Sequence, residues 1–246
     1  MNNRKRPARI ILEVGSGGVP WILTSEVYRT RFDCDARTLL QIEVTTLAAC
    51  DRYICFDKFA ANHAKAKDEF EELISLGRGV PSGTVEFVKG NGAALPYAAH
   101  FADAVILSNI LSAPVPGKLY MGSQYQTTQP REFCVSEEDK RSMLDEAVRV
   151  LKPGGSLIIA NDLTPCYAQK ALQHVAKLCK QGRIHLSREF GAYQETDDWI
   201  VWHSEYRLGS QPNRRAVENI AWNEQQKKAM RAWVDAWQKE TFWMCI

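Results

Sequence analysis

The chain has 246 residues, 45% of them hydrophobic, and a formal net charge of +2. That length can bury one large α/β core, and so mild a charge does not by itself imply a nucleic-acid partner. The seven cysteines include no C-x-x-C pair and read as reduced thiols, and neither H-E-x-x-H nor paired C-x-x-C spacing marks a metal site. There is no apolar run of about 18 residues and no apolar signal core, so no membrane span is expected and a cytoplasmic location is. Arg4-Lys5-Arg6 forms a short basic arm, read as a solvated terminus in preference to a contact with RNA or DNA.

Ile10 to Val14 is an apolar stretch broken by one acid, Glu13, and it opens into Gly15-Ser16-Gly17-Gly18. This is the pattern of a buried parallel strand that ends at a ligand. Glycines allow a tight turn and remove Cβ atoms that would hold a ligand away. Glu13 would repel a phosphate, so the expected ligand carries hydroxyls or a cation. Pro20 suits the first position of a helix over Trp21 to Arg29. Leu39, Leu40, Val44 and Leu47 then recur at helical spacing behind an N-cap at Asp33 or Asp35, and read as an insertion over about 30–49.

A second strand, Arg52 to Phe56, ends at Asp57 and leads into a helix containing Ala60, Ala64, Phe70 and Ile74. Val80-Pro81-Ser82-Gly83 breaks that pattern. Thr84 to Val88 is a third strand, stopping at Lys89-Gly90-Asn91-Gly92, and Ala104 to Asn109 a fourth, stopping in two small polar residues. Pro114 to Val135 is a long loop of the kind tied to function. Ser136-Glu137-Glu138-Asp139 starts a helix whose apolar face is Met143, Leu144, Ala147, Val148 and Leu151. Lys152-Pro153-Gly154-Gly155 turns into a fifth strand, Ser156 to Ala160, and a helix through Leu172, Val175 and Leu178 follows. Ile184 to Phe190 and Trp199 to Leu208 read as antiparallel partners. The expectation is a doubly wound α/β sheet of seven strands, mostly parallel with an antiparallel last strand. One domain spans 1–208. A helical extension over 209–246, with Trp222, Met230, Trp233, Val234 and Trp237 on one face, docks on the core or on a homodimer partner.

Four of these stretches, in this order, resemble class I S-adenosylmethionine-dependent methyltransferases. They are Leu12-Glu13-Val14-Gly15-Ser16-Gly17; Asp57 at the next strand end; Val85 to Tyr97 followed by Phe101-Ala102-Asp103-Ala104-Val105; and Leu151-Lys152-Pro153-Gly154-Gly155-Ser156-Leu157. The likeness covers roughly 10–208 and implies a Rossmann-like sheet, S-adenosylmethionine as cofactor and methyl transfer as the reaction. It further implies that Gly15, Ser16 and Gly17 wrap the methionine portion, with Glu13 orienting the loop or the amino group. Asp57 would accept hydrogen bonds from the ribose hydroxyls. Asn91, Gly92 and Ala93 would face the adenine, and Ser108, Asn109 and Ile110 would lie beneath the sulfonium. On the residues alone, Asp57 can also cap the next helix and Asn91 can hold a turn. The chain departs from the family in Val19-Pro20, where a third glycine is usual, in Asn91, where aspartate is commoner, and in a longer separation between Gly17 and Asp57. The insertion over about 30–49 absorbs that separation and is a candidate lid.

In-line transfer from a sulfonium draws much of its acceleration from positioning, and a general base is required only where the acceptor is protonated. Asn109 and Asp162, which follow the fourth and fifth strands, are the candidates for holding the acceptor, and either can instead be a turn residue. The five histidines read as surface or core residues, although His203 lies in a late strand whose end could reach the site. Ser108-Asn109-Ile110-Leu111 does not match the N-P-P-aromatic signature of enzymes that methylate exocyclic base nitrogens. A small-molecule acceptor is therefore favoured over nucleic acid. The rival readings are an RNA or protein methyltransferase and a non-catalytic methyltransferase-like scaffold subunit. A nicotinamide oxidoreductase fits less well, because Pro20 stands where G-x-G-x-x-G needs glycine or alanine.

Overall fold

The computed structural model describes residues 8–18, 20, 51–75, 84–111, 113, 115, 134–162, 165–194 and 199–208. The expected helix over Trp21 to Arg29, the insertion over about 30–49, most of the long loop over 114–135 and the extension over 209–246 lie outside these residues.

Seven strands form one sheet in the order β3-β2-β1-β4-β5-β7-β6. They are β1 (Ile10–Val14), β2 (Arg52–Asp57), β3 (Thr84–Lys89), β4 (Ala102–Ser108), β5 (Leu151–Asp162), β6 (Ile184–Gln194) and β7 (Trp199–Leu208). β1 to β5 run parallel, and β7 lies antiparallel between β5 and β6. The mostly parallel sheet with an antiparallel last strand is thus observed.

β1, β2 and β4 lie inside the sheet and are almost continuously buried, which explains their mostly apolar runs. Alternation along each strand divides their side chains between two layers. Leu12, Val14, Ile54, Phe56, Val105 and Leu107 face α2 (Glu137–Val150) and α3 (Pro165–Lys180), through Leu144, Ala147, Val148, Ala171, Val175 and Leu178. Ile11, Tyr53, Cys55, Ala104 and Ile106 form the second layer with Phe70 of α1 (Ala60–Ser75). Ser136 caps α2, its hydroxyl accepting from the Asp139 amide at 3.0 Å, and three acids in the first turn complement the helix dipole.

At Lys152-Pro153-Gly154-Gly155 the outcome differs from the expected turn, since β5 already begins at Leu151. Ala102 faces Leu151 while Ala104 faces Ser156, so the intervening residues are looped out of register as a bulge. Gly154 turns the chain at φ +74°. A Cβ on Gly155 would lie 2.9 Å from the Asp103 carbonyl oxygen, so only glycine fits without movement. Asp103 fastens the bulge to the sheet: one carboxylate oxygen accepts from Lys152 Nζ at 2.7 Å and from the Ile10 amide at 2.8 Å.

Candidate functional site

The chain passes from β3 at one edge to β4 on the far side of β1, so the connections diverge at the carboxyl ends of β1 and β4. Such a divergence leaves a crevice in an open α/β sheet. A cavity of about 490 Å³ occupies it. Val14, Gly15 and Gly17 line it from β1 and its loop, and Asp57, Lys58 and Phe59 from the end of β2. Gly90, Asn91 and Gly92 close it from β3, and Ser108, Asn109 and Ile110 from β4. α2 and the segment before it add Cys134, Val135, Asp139 and Met143.

The glycine loop takes its shape from a left-handed backbone. Gly15 sits at φ +72° and Gly17 at φ +61°, conformations that L side chains rarely adopt. A Cβ on Gly15 would also stand 2.9 Å from the Ile110 side chain. The Gly15 amide donates to the Phe56 carbonyl at 2.8 Å, and the Gly17 amide donates to the Asp57 carboxylate at 2.9 Å. The other oxygen of Asp57 accepts from the Phe59 amide at 2.8 Å and from Asn62 Nδ2 at 3.1 Å. Asp57 therefore holds the glycine loop and also braces the entry to α1. With roughly four lone-pair sites on a carboxylate, the three donors among the described residues leave one acceptor position for a ligand.

Asn91 does hold a turn: its Oδ1 accepts from the Ala93 amide at 3.0 Å and its carbonyl accepts from the Ala94 amide at 3.0 Å. The adjacent Gly92 is buried, and a Cβ there would lie 2.6 Å from Val14 Cγ1. Asn109 is exposed and carries φ +54°, a conformation that asparagine tolerates better than most side chains.

Of the expected contacts, Gly15, Gly17, Asp57, Asn91, Gly92, Ser108 and Asn109 come together around the cavity, whereas Glu13, Ser16 and Ala93 are not in its lining. Glu13 is fully buried between Cys55 and Ile106, where Tyr53 donates its hydroxyl to the carboxylate. The strand alternation that aims Val14 at one layer sends Glu13 to the other. Burial foremost, then the Glu13 and Asp57 charges, push the Cys55 thiol far above its usual range. Ser16 is also buried, and its hydroxyl has no hydrogen-bond partner among the described residues. Asp162 ends β5 with its backbone opposite Val201, two positions past the residue paired with Ser108. The His203 backbone lies in β7 opposite Ala160.

Sequence reasoning missed Lys58, Phe59, Asn62, Cys134 and Asp139, and placed Met143 only in a core face. The i, i+4 spacing of Asp139 and Met143 was a usable signal, since it puts both on one side of a helix whose start was legible. Lys58 Nζ lies 4.8 Å from the centroid of the Phe59 ring. Buried Lys140, next to Asp139, donates to the Ala113 carbonyl at 2.7 Å and so ties α2 to the segment after β4.

No protein-family model matches the sequence, and no curated protein matches it significantly. Solved structures do match. An S-adenosylmethionine-dependent methyltransferase from Methanosarcina mazei superposes with a TM-score of 0.51 at 12% identity, over 84% of this chain and 95% of that one. The N-methyltransferase NodS from Bradyrhizobium japonicum, solved with S-adenosyl-L-homocysteine, gives 0.49 at 11% identity, over 82% of this chain and 79% of its own. The chain has the fold of class I S-adenosylmethionine-dependent methyltransferases.

Proposed function

We propose that the protein is a methyltransferase that uses S-adenosylmethionine and acts on a small-molecule acceptor. The observation that carries this reading is the cavity at the β1/β4 divergence, where a glycine loop is tied to a buried carboxylate. Its volume falls within the range of small-molecule sites. Asp57 is 6% exposed, and its carboxylate opposes a phosphate while suiting a diol. The Ser16 hydroxyl, buried and without a partner among the described residues, is a polar group whose cost a ligand beside the loop would relieve. These groups fit an adenosyl cofactor bearing an amino acid end.

In this reading Gly15, Ser16 and Gly17 hold the methionine portion, with Glu13 behind the loop, and Asp57 accepts from the ribose. Asn91 and Gly92 face the adenine, with Ala93 behind them holding the Asn91 turn, and Ser108 and Asn109 lie below the reacting centre. Bound there, S-adenosylmethionine supplies an activated methyl group. The work of this chain is to orient the acceptor in line and to exclude water, for which Asn109 and Asp162 are assigned. No described helix is long and apolar enough to cross a membrane. A cytoplasmic location and a homodimer formed through the 209–246 extension complete the proposal.

Isothermal titration of the full chain with S-adenosylmethionine and S-adenosylhomocysteine tests it. Saturable binding is expected, and absence of binding at millimolar concentration would overturn the reading. Binding without turnover across a broad acceptor panel would instead favour a scaffold subunit.

A further inference from the structure

The connection from β3 to β4, residues 90–101, has no helix or strand, yet it supplies one wall of the cavity. Such a segment must find partners for its backbone groups. Much of that comes from one place on α2. Glu146 Oε2 accepts from the Leu95 amide at 2.8 Å. Arg149 donates from Nη1 to the Tyr97 carbonyl at 2.8 Å and from Nη2 to the Leu95 carbonyl at 3.1 Å. The two side chains are joined by a double bond of the fork type, Nε at 2.6 Å and Nη2 at 2.7 Å from the two carboxylate oxygens. The contacts to the connection are all made with its backbone, so they set its path whatever its side chains.

From Leu95 the restraint reaches the cavity within a few residues. The Ala94 amide donates to the Asn91 carbonyl, and Gly92 is wedged between Val14 and Met143. At the other end, the His100 amide donates to the Arg149 carbonyl at 3.3 Å. Hydrogen bonding to Arg149 holds the Glu146 carboxyl below its usual range, and the same bond raises Arg149, so both are charged at neutral pH.

We propose that Glu146 and Arg149 are positioning residues that set the path of residues 90–97 and thereby the affinity of the site for the adenosyl portion of its ligand. This rests on the cofactor reading above. The salt bridge itself, with side chains 37% and 21% exposed, is worth little, and amide exchange in β1, β2 and β4 reads global folding separately from binding.

The test compares the full-length wild type with Arg149→Met, Glu146→Gln, Arg149→Lys and a control, Arg183→Met, which breaks another α2 ion pair, to Asp145. Titration with S-adenosylhomocysteine and amide hydrogen exchange without ligand are measured for each. Arg149→Met is expected to weaken binding at least tenfold and to speed exchange over 93–100 while β1, β2 and β4 remain protected. Arg149→Lys keeps the charge but cannot span both carbonyls, and should recover only part of the affinity. Arg183→Met should match wild type. Wild-type affinity in Arg149→Met, unchanged exchange over 93–100, or an equal loss in Arg183→Met would each overturn the proposal. If the wild type itself fails to bind, the cofactor reading falls and takes the affinity claim with it, while exchange still decides whether the pair holds the segment.

Discussion

The Gly17 amide donates a hydrogen bond of 2.9 Å to the carboxylate of Asp57, 40 residues further along the chain. That contact joins the loop after β1 to the end of β2 and makes one cradle from two turns. The three donors converging on Asp57 leave an amide in its place with at least one donor facing a donor. Asp57→Asn should therefore cost about 1–3 kcal/mol of stability and weaken S-adenosylhomocysteine by tenfold or more, about 1.4 kcal/mol. Urea denaturation and calorimetric titration give the two numbers. Wild-type affinity in a folded variant would remove Asp57 from the site.

Asn109 permits a test that separates backbone from side chain. At φ +54°, Asn109→Ala should lose about 1–2 kcal/mol, while Asn109→Gly restores the conformation. If the amide positions the acceptor, both variants lose turnover although the alanine variant loses more stability. Full activity in Asn109→Gly would reduce Asn109 to a turn residue.

A methyl group at Gly92 would meet Val14 Cγ1 at 2.6 Å. Gly92→Ala should destabilise by about 1–3 kcal/mol through overpacking and displace the Asn91 turn. Adding Val14→Ala makes room and should restore part of the ligand affinity. Equal affinities in the single and double variants would show that the wall does not depend on this packing.

The Glu146 pair imposes a pH dependence. Its carboxyl is depressed in the folded state by Arg149, so its contribution is fully present above the ordinary glutamate value of about 4.3. The contribution is lost as pH falls through the lower folded value. Chemical denaturation between pH 7 and pH 3 should show a smaller acid-induced loss in Glu146→Gln than in wild type. Identical slopes would contradict the pairing.

Cysteine labelling reads the two sides of the sheet. Cys55 is buried and its thiol is pushed up by burial, so it should resist alkylation in the native state. Cys134 lines the cavity and is half-buried, so bound S-adenosylhomocysteine should slow its modification. Peptide mapping by mass spectrometry distinguishes them, and rapid native labelling of Cys55 would refute the buried layer.

The strands were legible because their signals are local. Ile10 to Val14, Arg52 to Asp57 and Ala102 to Ser108 are apolar runs that stop at glycine, a carboxylate or a small polar residue, and each stop lies on the cavity rim. Glu13 shows the limit of motif reading. Its place beside the glycines suggested a role toward the ligand, yet the two-residue period of a strand turns it to the opposite layer from Val14, beside Tyr53. Asn91 and Asp57 were readable both as turn or cap residues and as ligand contacts. The structure shows the turn for Asn91, while the Asp57 carboxylate accepts from the Phe59 amide just before α1 and from the Asn62 side chain instead of capping the helix backbone, and both residues stay on the cavity wall.

The sequence by itself determined the order of strands and helices, the direction of the sheet and the glycine and carboxylate ends of β1 and β2, because backbone conformation and burial period are written within a few neighbouring residues. Only the tertiary structure decided that α2 completes the site through Asp139 and Met143 and anchors its far wall through Glu146 and Arg149. Those contacts join residues about fifty positions apart. A helical period reveals that one face is buried, but the partner it meets depends on how the whole sheet is wound.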